Sequence, residues 1–177
     1  MILNMNKYIS ITIIVIFSIL LSLSIDQEIL SNLLEKVIFN AVAVLVGLSI
    51  AVVGIFLSSI NTIYMSLYRL TRNSDNELFS DEEIQAIKRG LSELVGELKD
   101  NALFSIYVFV GVLVLFFLKE VDVLFLRWFI EIKLLSKDFV INTMILIGNF
   151  LIFYAIIDST KVVFQISEAF ELMKNDD

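Results

Sequence analysis

The 177 residues contain no cysteine, no histidine and no proline. Without cysteine there are no disulfides, no thiol chemistry and no thiolate metal sites. Without histidine, the usual general base and the commonest metal ligand are missing. Without proline, no helix is broken by that route. A carboxylate-only metal site stays open, but no EF-hand or similar loop can be read. Nor is there a P-loop, a dinucleotide fingerprint or a nucleophile elbow. The sequence therefore predicts no enzyme, no cofactor and no metal. Positive charge is also scarce: 13 Lys and Arg stand against 20 Asp and Glu, a net charge of −7. No basic patch interleaves with aromatics, so direct nucleic-acid binding is not expected.

What fills the space is apolar. Hydrophobic residues make up 58% of the chain and the mean hydropathy is +0.89. Both values lie beyond ordinary soluble domains. Four long apolar runs stand out, at 8–25, 37–68, 102–118 and 139–157. The first is rich in Ile and Leu, follows a tail with one lysine (Lys7), and meets Asp26-Gln27-Glu28 rather than a small-residue cleavage site. It reads as a retained transmembrane helix rather than a signal peptide. The second, Val37–Tyr68, runs 32 residues without a charged side chain. At 1.5 Å per residue it extends about 48 Å, against a hydrocarbon core of roughly 30 Å. It overshoots the bilayer.

The connectors are predicted in turn. Asp26–Lys36 reads as a short, mostly acidic link. Arg69 and Arg72 close the second span and can snorkel to the headgroups, which makes them interfacial anchors. Ser80 and Glu83 form a capping box ahead of a helix. On that helix Ile84, Ile87, Leu91, Leu94 and Leu98 alternate at spacings of three and four, an apolar seam of two heptads. Nothing stops the helix before the third span, so one long rod is predicted, with a cytoplasmic connector at 69–101. Segment 119–138 carries Arg127, Glu131 and Lys133, which make it a poor span. It reads instead as an amphipathic interfacial helix anchored by Trp128. After the last span, 158–177 reads as an amphipathic C-terminal helix. Asp158 and Lys161, three apart, read as an ion pair at its start.

The fold class predicted is all-α: a polytopic membrane protein of one domain over 1–177. It has four transmembrane helices, amphipathic cytoplasmic helical extensions and one interfacial helix. Eight of the 13 basic residues lie on the side that holds both termini and the 69–101 connector. Positive-inside logic makes that side, with both termini, cytoplasmic.

Two polar ladders cross the apolar runs. Asn40, Gly47, Gly54 and Asn61 recur at seven-residue spacing, and Ala51 and Ser58 complete the stripe. Small residues let helix backbones approach in lipid, and asparagines bond across helices. Three readings stay open: packing inside the chain, a homo-oligomer seam, or a pore lining. Asn142 and Asn149 are also seven apart and are expected to face this stripe. No charge lies in the middle of a run, which argues against ion-coupled transport. The 84–98 seam is the candidate surface for a cytosolic protein partner.

Small four-span chains with charged cytoplasmic helices and no ectodomain resemble the membrane subunits of bacterial anti-phage systems of the Kiwa type (KwaA-like). The resemblance rests on the four runs at 8–25, 37–68, 102–118 and 139–157 and spans the chain as architecture. It implies a homo-oligomer of the inner membrane that senses phage-related stress and works with a cytosolic effector. It carries no functional residue across. The function expected is a sensor or scaffold that recruits a partner. The alternative is a pore or channel effector that depolarises the membrane.

Overall fold

The computed structural model describes residues 2–73, 81–121 and 136–175; the side chains of 2–6, 57, 59–73, 81–84, 86–88 and 166–175 lie outside the description. The elements are α1 (Ile2–Ser24), α2 (Gln27–Leu33), a π-helical turn (Leu34–Ile38), α3 (Phe39–Asn73), α4 (Asp81–Glu120) and α5 (Lys137–Asn175). No strand occurs among the described residues. Four helical stretches are long and apolar enough to cross a membrane: Lys7–Ser24, Gln27–Phe56, Arg89–Glu120 and Lys137–Gln165. The architecture is all-helical and compatible with a multi-pass membrane protein.

The helix ends follow from local chemistry. Asp26 leaves helical geometry (φ −58°, ψ 138°) and its carboxylate accepts from the Glu28 N–H at 2.9 Å. It thereby stops α1 and caps α2, satisfying one of the amides orphaned at a helix start. Ser136 does the same for α5, its hydroxyl accepting from Phe139 N–H at 3.2 Å, with Asp138 in the first turn. Within the apolar helices, hydroxyls turn back onto their own backbone. Thr12, Ser18, Ser24 and Thr160 each donate to the carbonyl four residues earlier. A polar side chain is satisfied in this way without a partner helix.

One expectation needs correction. The short acidic link at 26–36 does not separate two spans but belongs to the second helix: the chain is helical from Gln27 through the π turn into α3. Leu30 and Leu34, one turn apart on it, are fully buried. The last span and the amphipathic C-terminal helix form one helix, Lys137–Asn175. The predicted rod is also present: α4 runs unbroken from Asp81 to Glu120 through connector and third span. Ser80 of the capping box and most of the 119–138 segment, Trp128 included, lie outside the described residues. Arg69 and Arg72 fall on α3, and their side chains are also outside the description.

Contacts divide the chain into two compact units: Met1–Val46 with Phe104–Ala155, and Gly47–Leu103 with Ile156–Asp177. In the first, Leu30 and Leu34 pack with Val112 of α4 and Ile141, Ile145 and Leu146 of α5. Phe39 stacks on Phe109 (5.5 Å between centroids, 13° between planes) and meets Phe116 edge-on at 5.2 Å. Phe17 of α1 meets Phe150 of α5 edge-on at 5.5 Å. These ring contacts add to the close packing of the unit. In the second unit, Val53, Leu91, Leu98, Ala102 and Val162 form the core. Half of the most apolar part of α5 is buried, against 11% for α1.

Candidate functional site

The polar side chains held inside the apolar helices are the features of this chain that packing alone does not explain. In the first unit they form two clusters. Asn142, fully buried, donates from Nδ2 to Gln27 Oε1 at 3.1 Å and to the Gln27 carbonyl at 3.4 Å. The Gln27 amide in turn donates to Ser22 O at 2.7 Å. Thr143 donates to Phe139 O at 2.7 Å and shares a 2.8 Å hydrogen bond with Ser22 Oγ. This cluster ties the end of α1 and the start of α2 to the first turns of α5.

The second cluster gathers at the end of α4. The Lys119 ammonium, its side chain 9% exposed, donates to Glu35 Oε1 at 2.8 Å and to Ser31 Oγ. Ser31 also donates to Glu35 at 3.0 Å. Lys137 donates to the carbonyls of Lys119 at 3.0 Å and Val121 at 3.3 Å. A cation there satisfies carbonyls left over at the α4 terminus and suits the negative end of its dipole.

In the second unit, Asn101 of α4 donates to Asp158 Oδ2 of α5 at 3.1 Å. This corrects the expected Asp158–Lys161 ion pair: no ion pair joins them among the described residues, because Asp158 turns toward α4. The apolar seam is corrected as well. Leu91 and Leu98 are buried and Leu94 half-buried against Val53, Phe56, Val162 and Val163. These leucines are consumed by packing within the chain and do not present a free partner surface. The side chains of Ile84 and Ile87 lie outside the description.

The stripe on α3 is the reverse case. Asn40, Gly47, Ala51, Gly54 and Ser58 are all exposed, and a Cβ built on either glycine meets nothing within 4 Å. Packing inside the chain is not what this face does. Asn40 donates to Lys36 O of its own helix at 3.0 Å. Asn142 faces Gln27, not the stripe as expected, because the α1–α2 junction places an amide opposite it. Asn149 is buried (1% exposed), and neither its Oδ1 nor its Nδ2 meets a hydrogen-bond partner in the protein. The Asn61 side chain lies outside the description.

No family model, curated protein or solved structure matches the chain. Its chemistry must be taken from the residues. The clusters consist of carboxamides and hydroxyls with two lysines, Lys119 and Lys137, and single carboxylates. Among the described residues no group of three or more Asp or Glu is placed to hold a metal ion. Such an arrangement binds by hydrogen bonds and fixes helices against each other. Ser22, Gln27, Thr143, Glu35 and Lys119 were not singled out from the sequence. The pair Ser18 and Ser22, four apart inside an apolar run, was a visible signal of a buried polar face.

Proposed function

We propose that this chain is a multi-pass scaffold or sensor of the bacterial inner membrane that assembles with copies of itself. It recruits a cytosolic protein partner, in the setting of an anti-phage defence system of the Kiwa type. The role is one of assembly and recruitment rather than catalysis. The observation that carries the reading is the open face of α3. Gly47, Ala51, Gly54 and Ser58 stand exposed, with no group of the described residues within 4 Å of a Cβ on either glycine. Small residues in a row let two helices approach closely in lipid.

Helix lengths support the membrane placement. The apolar stretch of α4 between Asn101 and Lys119 spans about 27 Å, and that of α5 between Lys137 and Asp158 about 31 Å. Both match a hydrocarbon core of roughly 30 Å. On this placement the termini and the first half of α4 lie in the cytoplasm. With Leu91, Leu94 and Leu98 covered, the recruiting surface is the exposed charged side of α4 at Arg89, Glu93, Lys99 and Asp100.

The absence of native cysteine gives a clean test of assembly. Gly54→Cys should form a disulfide-linked dimer in oxidised membranes. Ile13→Cys, on the exposed side of α1, should not. Equal cross-linking at both positions would remove α3 as the assembly face. A second reading, a pore, rests on the exposure of Asn40 on the same helix. Around an oligomer axis its amides would meet water. A membrane-potential dye separates the two. The scaffold alone leaves the potential intact, whereas a pore collapses it on expression or phage challenge.

A further inference from the structure

The described side chains of α1 that are fully buried are both serines, Ser18 (0% exposed) and Ser22 (1%). Two contacts fix how α1 lies on α5. Ser22 bonds to Thr143, and the ring of Phe17 meets that of Phe150. Steps back along α1 are therefore matched by steps forward along α5. Ser18, one turn before Ser22, comes level with the turn of α5 that carries Gly148 and Asn149. The Ser18 hydroxyl gives its proton to Ile14 O at 2.8 Å, which leaves its oxygen free to accept.

Asn149 on that turn has two amide protons and a carbonyl oxygen, all buried, and the protein supplies none of them with a partner. A carboxamide can make up to four hydrogen bonds, and buried polar groups are rarely left with none. Asn149 cannot be relieved by moving α5 closer to α4. The adjacent Gly148 already sits so near α4 that a Cβ on it would lie 2.5 Å from Val112 Cγ2. On α1, the two fully buried side chains, Ser18 and Ser22, are small and polar. Water is the molecule that fits this chemistry, because it donates to an amide oxygen and accepts from an amide proton at once.

We propose that Asn149 on α5 and Ser18 on α1 hold ordered water between them, inside the apolar core of the Met1–Val46 and Phe104–Ala155 unit. The water accepts from Asn149 Nδ2 and donates to Ser18 Oγ, and a second molecule donates to Asn149 Oδ1. One heptad back, Asn142 Oδ1 is also buried without a partner, beside the Ser22–Gln27–Thr143 cluster. That cluster is the polar end from which water reaches the seam. The α1–α5 contact is thus a wet seam, held by hydroxyls, amides and solvent. The site is independent of assembly through α3.

The test is water-edited solid-state NMR on the full chain in lipid bilayers, with Asn labelled with nitrogen-15 and carbon-13, Ile with nitrogen-15 and Gly with carbonyl carbon-13. Asn149 is assigned through the one Gly-Asn peptide in the sequence. Its side-chain signal should build up from water at a rate nearer that of exposed Asn32, in the polar link at 26–36, than that of the Ile145 and Ile152 amides. Build-up as slow as those isoleucines would overturn the proposal. Ser18→Val, which removes the accepting oxygen and fills the space, should slow Asn149 and leave Asn142 as it was. Unchanged build-up in a folded Ser18→Val protein would also overturn it. If that variant does not fold, the wild-type measurement alone decides.

Discussion

Gly148→Ala should destabilise the protein even though it removes a glycine from the middle of a helix. The added methyl would lie 2.5 Å from Val112 Cγ2, with Val108 Cγ1 at 3.6 Å. The second distance is ordinary contact; the first is not. Val112 is 2% exposed, so it has nowhere to swing, and a β-branched side chain in a helix has one strongly preferred χ1. The helices must part instead. Overpacking of this kind costs about 1–3 kcal/mol, while replacing a helical glycine by alanine returns about 1 kcal/mol. The net loss is therefore roughly 0–2 kcal/mol. Gly111→Ala provides the internal standard. Gly111 is exposed, nothing lies within 4 Å of its added Cβ, and the propensity gain is the same. The difference between the two variants cancels propensity and isolates the clash at about 1–3 kcal/mol. Thermal unfolding in detergent, followed by circular dichroism, should place Gly148→Ala several degrees below Gly111→Ala. Adding Val112→Ala should abolish the clash, so the two changes will not be additive. If Gly148→Ala melts with Gly111→Ala or above it, the α4–α5 contact is looser than described and the reasoning fails.

Four further outcomes are expected. Glu35→Leu should cost more than Lys119→Leu, about 3 against about 1 kcal/mol, because the ammonium it strands is almost wholly buried whereas Glu35 is 39% exposed; chemical denaturation in detergent ranks them, and the reverse order refutes the pairing. Gly47→Leu and Gly54→Leu should disrupt the oligomer far more than Leu45→Ala, yet leave the monomer folded, since space within the chain is open at both glycines; light scattering with circular dichroism reads both quantities, and oligomers of unchanged size would sink the idea. Asn101→Leu should lower stability by about 1–2 kcal/mol by stranding the half-buried Asp158 carboxylate, and Asp158→Asn in the same chain should recover most of it; no recovery in the double variant would mean the bond contributes nothing. A reporter fused after Asp177 should be active only in its cytoplasmic form; periplasmic activity would overturn the topology.

The long apolar runs were legible because a transmembrane helix is a property of composition over a short window. The continuity of α4 was legible for a similar reason: nothing in 81–118 breaks a helix. The α2 segment was misread because its charges were counted and their periodicity was not. Leu30 and Leu34, one turn apart, and Asp26 at the cap position carried the signal. The pairings were beyond reach for another reason. Lys119 and Glu35 are 84 residues apart, and Asn142 and Gln27 are 115 apart. Only the order in which helices pack brings them together, and one sequence does not state that order. The stripe on α3 shows the same divide. Spacing revealed that Asn40, Gly47 and Gly54 share a face, but not which way the face points.

The π turn at Leu34–Ile38 acts on angular phase. Leu34 and Val42 are both fully buried, and they are eight residues apart. Eight residues of α-helix overshoot two full turns by about 80°, which would carry Val42 off the side that Leu34 occupies. A π turn closes its hydrogen bonds over five residues instead of four, so it absorbs one extra residue with little rotation. The turn is thus a phase corrector: it makes eight residues do the angular work of seven. It follows that the chain can lose one residue there and keep its faces aligned. Deleting Val37, which is 57% exposed, should regularise the helix, whereas deleting Ala43 should turn everything beyond it by about 100° and fail to fold.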